Sequence, residues 1–220
     1  MLRNWVLLAL LASASFGMLL FAKEGGFAPL FDGKSLSGWE QQGSVFSVQG
    51  EGKDAEIVAG SLESSVAHNE FLCTTKNYGD FELRLEAKLE GKGQNAGIQF
   101  RSERKPKHFE VIGYQCDAGL MEGKSIWGAL YDESRRNKFL VHDEAACTKA
   151  TKEGWNQIVI RCEGAHIQIW INGVLTTDYQ ETDEKIPKSG KIALQIHGGE
   201  PALARYRHLQ IKELTSEAAK

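Results

Sequence analysis

Asn95-Ala96-Gly97-Ile98-Gln99-Phe100-Arg101, followed shortly by Gly113-Tyr114-Gln115-Cys116-Asp117, is the stretch on which the fold turns. In the first segment apolar and polar side chains alternate, the period of a β-strand with one apolar face. Ile98 and Phe100 point one way, Gln99 and Arg101 the other. In the second segment Gln115 and Asp117 share a face, with Tyr114 and Cys116 opposite. Pairing of the two strands gathers Gln99, Arg101, Gln115 and Asp117 into one polar patch. The flanking glycines let another chain or a ligand approach closely. A solvated outer face is the simpler reading of the alternation alone, so the rest of the chain has to decide.

Outward from this stretch the pattern stays β. Phe81-Glu82-Leu83-Arg84-Leu85-Glu86-Ala87-Lys88-Leu89 alternates cleanly, apolar residues inward and charges towards water. Residues 155–177 read as a meander: a strand ending at Cys162, a Glu163-Gly164 turn, His166 to Ile171, an Asn172-Gly173 turn, then Val174 to Thr177. Gly190 to His197 and Leu203 to Leu214 add two strands near the end. Shorter ones are expected around Val45 to Val48, Ala55 to Val58 and Phe71 to Thr75, separated by glycines. Residues 117–154 are expected to be a long connection with a short strand or helical turn in it, and long connections are often functional. No helical period runs beyond two turns. The fold class is all-β, with two packed antiparallel sheets as the natural arrangement.

Composition narrows the function. The chain has 220 residues, a formal net charge of -3, 23 glycines and only 4 prolines, which suits tight turns and not a disordered chain. Its basic residues form no stripe, so phosphate-backbone binding of nucleic acid is not expected. Arg3 and the apolar run from Trp5 to Ala22, interrupted by Ala12-Ser13-Ala14-Ser15, read as a secretory signal over residues 1–22. A single domain over residues 27–215 follows, exported to a periplasmic or extracellular space and free of the membrane after cleavage. An uncleaved anchor is the alternative. The four cysteines, Cys73, Cys116, Cys147 and Cys162, form no CxxC unit. Buried free thiols are a shade more expected than a disulfide.

A second polar face appears at Gln195 and His197, which alternate against Leu194 and Ile196 just before Gly198-Gly199. A lone histidine on a strand is usually structural, but a strand end beside a permissive turn is where site residues gather. His142-Asp143-Glu144 has the look of metal ligands, although three consecutive loop residues rarely face one ion. His108-Phe109-Glu110 sets two polar groups on one face. Phosphate-loop, dinucleotide, GxSxG and HExxH signatures are all missing from the sequence. What remains is a polar site of Arg, Asp, Gln, Tyr and His with Trp127 nearby. Planar polar groups bond sugar hydroxyls and aromatic rings stack on a pyranose, so the composition fits a carbohydrate.

Pro29-Leu30-Phe31-Asp32-Gly33-Lys34-Ser35-Leu36-Ser37-Gly38-Trp39 resembles the opening of the 3-keto-disaccharide hydrolase, or 3-keto-glucoside 1,2-lyase/hydratase, family. The likeness continues through Tyr78-Gly79-Asp80-Phe81, the Asn95 and Gly113 stretches, Gly128-Ala129-Leu130-Tyr131-Asp132-Glu133-Ser134-Arg135-Arg136, Ile169-Trp170-Ile171-Asn172-Gly173 and Leu194-Gln195-Ile196-His197. The segment from Gly43 to Asn69 departs from the family pattern. The resemblance implies a concanavalin A-like (laminarinase-like) jelly-roll sandwich. It also implies a 3-keto-sugar or disaccharide substrate, cleaved by C2 proton abstraction, elimination and hydration. In that scheme His197 is the base or proton shuttle, Arg101 stabilises the enediolate, Asp117 or Glu110 orients the histidine, binds a divalent cation or acts as the acid, and Tyr131 protonates the leaving oxygen. Gln99, Gln115, Gln195, Asn95 and Trp127 bind substrate. A divalent metal ion stays open. The alternatives are a non-catalytic carbohydrate-binding module and a structural domain of a cell-envelope assembly.

Overall fold

The computed structural model describes residues 26–106 and 108–215, so the signal expected over residues 1–22 lies outside the described residues. Among the described residues sixteen strands form two antiparallel sheets, with a short α-helix and a 3-10 turn at Gly52–Asp54 beside them. The first sheet runs β14 (Val174–Gln180), β13 (His166–Ile171), β12 (Asn156–Glu163), β6 (Phe81–Gly91), β16 (Ala202–Glu213), β4 (Glu56–Ser61) and β3 (Phe46–Gln49), with β1 (Ala28–Pro29) paired to β16. The second runs β11 (Phe139–Val141), β10 (Leu130–Glu133), β8 (Val111–Met121), β7 (Asn95–Arg104), β15 (Lys191–Ile196), β5 (Glu70–Thr74) and β2 (Trp39–Gln41), with β9 (Lys124–Ser125) on β8. The non-consecutive neighbours β12–β6–β16 and β7–β15–β5 give the jelly-roll sandwich.

The core lies between the sheets because alternation on each strand delivers one apolar face there. Leu83, Leu85, Ile158, Ile160, Ile169 and Tyr206 from the first sheet meet Ile98, Phe100, Tyr114, Leu194 and Ile196 from the second. Each such side chain, fully buried, contributes about 1.5–3 kcal/mol of transfer free energy. Phe100 stacks on Tyr114 at 5.7 Å within its sheet and meets Phe81 edge-on at 6.4 Å across the layers.

Residues 117–154 hold more structure than a connection. Strand β8 runs on to Met121, and β9, β10, β11 and helix α1 (Glu144–Ala150) follow. Asp117 ends the apolar pattern, so the sequence reads as a strand end there; the backbone continues because Asp117 N–H and C=O pair with Ala129 and Gly128. All four cysteines are buried free thiols.

Candidate functional site

The second sheet turns its other face away from the core, and the register lays that face out as a floor. Across β10, β8, β7, β15 and β5, Tyr131, Gln115, Gln99, Ala193 and Cys73 stand side by side. In the next row come Asp117, Gly97, Gln195 and Phe71. His197 lies two residues beyond Gln195, its backbone N–H donating to Asn95 O at 3.1 Å. Five of the ten residues singled out from the sequence, Gln99, Gln115, Asp117, Gln195 and Tyr131, thus share one floor, with Asn95 and His197 at its end.

The floor is covered, not solvated. Gln99 and Gln195 are 0% exposed, Gln115 2% and Asp117 4%. Val111, the first residue of β8, packs with Phe71, Cys73 and Ala193, and its carbonyl accepts from Gln99 Nε2 at 3.1 Å. Phe109 stacks on His68 at 4.0 Å, joining the segments that lead into β8 and β5. Gly97 decides how the floor is wired. A Cβ there would sit 2.6–2.9 Å from Gln115 side-chain atoms, so only glycine lets Gln115 lie across β7. Gln115 then takes a bond from Gln99 Nε2 at 3.3 Å and donates its own Nε2 to Asp117 Oδ1 at 2.6 Å. Gln99 Oε1 and both amide atoms of Gln195 have no partner among the described residues. Buried polar atoms are seldom left so, and a ligand with hydroxyl groups would satisfy them.

Burial pushes the Asp117 carboxyl up to about 8; the Gln115 amide pulls it down and the Glu133 charge adds to the rise. At neutral pH Asp117 is therefore a neutral acid, able to donate through the oxygen that Gln115 leaves free. His197 is exposed at the rim, with Nδ1 2.6 Å from Gly198 O. A carbonyl only accepts, so Nδ1 carries the proton and Nε2 offers a lone pair. Burial and the neighbouring charges of Glu133 and Asp117 raise the Tyr131 phenol.

Glu110 sits one residue before β8, and its Oε2 accepts from Ser134 Oγ at 2.7 Å. The same hydroxyl is 3.4 Å from Glu133 Oε1. Burial and the Glu110 charge raise the Glu133 carboxyl, against the pull of His197 and of the Ser134 hydroxyl. Glu133 and Ser134 are not among the residues singled out from the sequence. The signal was there: Glu133 stands two residues from Tyr131 on a strand and so shares its face.

Two placements correct the sequence reading. Arg101 does not share the Gln99 face. The register of β7 on β8 shifts between Phe100 and Glu103, and Arg101 takes a φ of 48°; such a bulge breaks the alternation and re-aims the side chain. Its guanidinium is spent on Gly79 O (2.9 Å), Gly164 O (2.7 Å) and Asp80 Oδ1 (2.8 Å). Trp127 is 5% exposed and belongs to the core between the sheets. Its turn is held by Thr176 and Thr177 hydroxyls donating to Gly128 O, and its outer edge meets a cavity of about 670 Å³ beside α1, away from the floor. The His142-Asp143-Glu144 run is structural as well. His142 bonds Ser125 O, Asp143 caps α1, and Glu144 pairs with Lys124. Among the described residues no group of three or more His, Cys, Asp or Glu side chains is arranged to hold a metal ion.

The profile of the 3-keto-alpha-glucoside-1,2-lyase-like domain family matches residues 26–212. The chain belongs to this family. No curated protein matches it significantly. Among solved structures, a candidate glycosyl hydrolase from Parabacteroides distasonis superposes with a TM-score of 0.62 at 20% identity, over 88% of this chain and 96% of that one. The Bacillus licheniformis beta-glucanase gives 0.51 at 13% identity, over 86% and 97%. A Bacillus subtilis protein with a galectin-like fold gives 0.51 at 10%, over 84% and 96%. These likenesses show the sandwich fold. Membership of the 3-keto-alpha-glucoside-1,2-lyase-like family makes the chain a carbohydrate-related sandwich protein.

Proposed function

We propose that this is an exported enzyme that cleaves 3-keto-glycosides by elimination and hydration. The observation that carries the reading is a buried carboxyl, Asp117, bonded by the Gln115 amide and set near Gln99 Oε1 and the Gln195 amide, which find no partner among the described residues, on a face that ends at His197 with its Nδ1 on Gly198 O. A ketone at C3 acidifies the proton on C2. His197 Nε2 removes that proton, and the C–H electron pair delocalises into the ketone as an enediolate. Asp117 donates its O–H to the developing oxyanion, the task a neutral carboxylic acid in an apolar setting suits. The role first given to Arg101 passes to it, since every guanidinium nitrogen of Arg101 is already engaged. The electron pair then forms C1=C2 as the C1–O bond breaks, and the leaving oxygen takes a proton. Water adds across C1=C2, which completes a net hydrolysis. The route needs no pair of carboxylates flanking an oxocarbenium ion. Gln99, Gln195 and Asn95 bond sugar hydroxyls.

A non-catalytic sugar reader would also use the partnerless amides of Gln195. The test separates the two. Methyl 3-keto-glucosides of both anomers and their unoxidised parents are incubated with the purified chain, with and without EDTA. Release of methanol from a keto-sugar alone supports the elimination, and chelator sensitivity shows a metal taking part. Saturable sugar binding without release from either anomer leaves only the binding module.

A further inference from the structure

Elimination leaves one proton unassigned, the one that goes to the departing oxygen. Tyr131, the residue first expected to supply it, has a phenol made a weaker acid than usual by burial and by the charges beside it. Two residues on, and on the same face, stands Glu133, in a setting of a different kind. Ser134 Oγ carries a single proton, and Glu110 Oε2 at 2.7 Å takes it. The same hydroxyl lies 3.4 Å from Glu133 Oε1, so one Ser134 Oγ brackets two carboxyl groups. Two carboxylates held this close do not readily both ionise, which favours a proton on one of them. Ser134 opens the turn after β10 at a φ of 55°, a left-handed conformation that is uncommon for a residue with a side chain.

We propose that Glu133 gives the leaving oxygen its proton, and that Glu110, brought beside it across the Ser134 hydroxyl, is a positioning residue that keeps its carboxyl a donor. The proposal rests on the keto-glycoside reading above. It balances over one turnover. His197 takes the C2 proton, Glu133 gives its proton to the departing oxygen, and the alcohol leaves. Glu133 then takes a proton from the incoming water as the new C1–O bond forms, and His197 returns its proton to C2. On the same sheet face, three strands from Glu133, the Gln195 amide is 0% exposed and bonded to nothing among the described residues, a group kept for a ligand on independent grounds. The charges that face Glu133 come from Glu110 ahead of β8, from Asp132 beside it, from Asp117 on β8 and from His197 past β15. Burial and Glu110 raise its proton affinity, while His197 and the Ser134 hydroxyl lower it.

The test compares two leaving groups on the same 3-keto-glucose. Methanol needs a proton to depart; 4-nitrophenolate hardly does. In Glu133→Gln, kcat/KM for the methyl glycoside should fall by about 10²–10³-fold, the usual worth of general acid catalysis. The 4-nitrophenyl glycoside should lose less than about tenfold, which also reports that the variant is folded. Glu110→Gln should move the alkaline limb of the kcat profile for the methyl glycoside to lower pH, because Glu133 then surrenders its proton sooner. Equal losses on both leaving groups, or none, in a background where the wild type cleaves keto-sugars, overturn the assignment to Glu133. An alkaline limb that stays in place in Glu110→Gln overturns the positioning role. If the wild type itself releases neither alcohol, the keto-glycoside reading falls first and this proposal falls with it.

Discussion

Gln99 and Arg101 stand two residues apart on one strand, are both buried, and live in opposite chemical states. Each nitrogen of the Arg101 guanidinium is engaged: three bonds tie β7 to the turn at Gly79-Asp80 and to the β12–β13 turn at Gly164, and Asp80 Oδ1 also accepts from Gly164 N–H at 2.9 Å. On the Gln99 side, Gln99 Oε1 and the whole Gln195 amide go without partners, and Asp117 holds a proton that an exposed carboxylate would have lost. A saturated buried cluster spends its polar groups on stability. An unsaturated one keeps them for something that arrives later. Charge and burial alone do not separate the two cases, and the hydrogen-bond count does.

The largest expected effect is on the saturated side. Arg101→Ala leaves Asp80 and two carbonyls without their partner and should lower stability by about 3–5 kcal/mol, the cost of breaking a buried pair, read by urea denaturation. A loss below about 1 kcal/mol would put Arg101 among the surface ion pairs and erase the contrast. On the floor the balance should reverse. His197→Ala should cut turnover of a methyl 3-keto-glucoside by about 10²–10⁴-fold while shifting stability by no more than about 0.5 kcal/mol, since the side chain is exposed. Comparable damage to both quantities would make His197 structural.

Acidity offers a third comparison. The folded chain raises Asp117 above its unfolded value, so the native state binds the extra proton and is favoured at low pH. That contribution is complete below about pH 4 and is lost as pH rises towards about 8, on the order of a few kcal/mol in all. Glu181 behaves oppositely. Burial works against its charged form, but the Arg136 guanidinium and the Tyr114 hydroxyl outweigh it and hold the carboxyl down at about 2. Its contribution is present above the ordinary glutamate range and disappears as pH falls through that range towards 2. Urea midpoints of the wild type and Asp117→Asn between pH 5 and 8 check the first statement, and the slope should flatten in the variant. An unchanged slope would mean that Asp117 is ionised on the floor.

The smallest effect sharpens the contrast most. Gln195→Leu replaces a partnerless buried amide by an apolar side chain of similar size and should stabilise the fold by about 1 kcal/mol. The same change should weaken keto-sugar turnover or binding. A destabilised Gln195→Leu would show that the amide is bonded in the free protein, through water, and is not held in reserve.

Much of this was legible beforehand. Alternation over Phe81–Leu89, the Asn172-Gly173 turn and the run from Gly190 to His197 were enough for an all-β sandwich, because a period of two leaves one face for the core and one for everything else. The same period put Gln99, Gln115 and Asp117 on one face and Gln195 on a second, and the pairing of β15 with β7 makes the two faces one. It failed at Arg101, where a bulge inserts a residue and turns the following side chain over; nothing local in Phe100-Arg101-Ser102 announces that shift. It was silent on Trp127, whose place in the core depends on a turn fastened to β14 by two threonines far along the chain. It could not join Glu110 to Glu133 through Ser134, since their meeting needs β8 and β10 to pair. By itself the sequence determined which residues share a strand face, a matter of local backbone geometry. Only the tertiary structure decided which of those faces is covered and which buried groups find partners, because both depend on segments distant in the chain arriving at the same place.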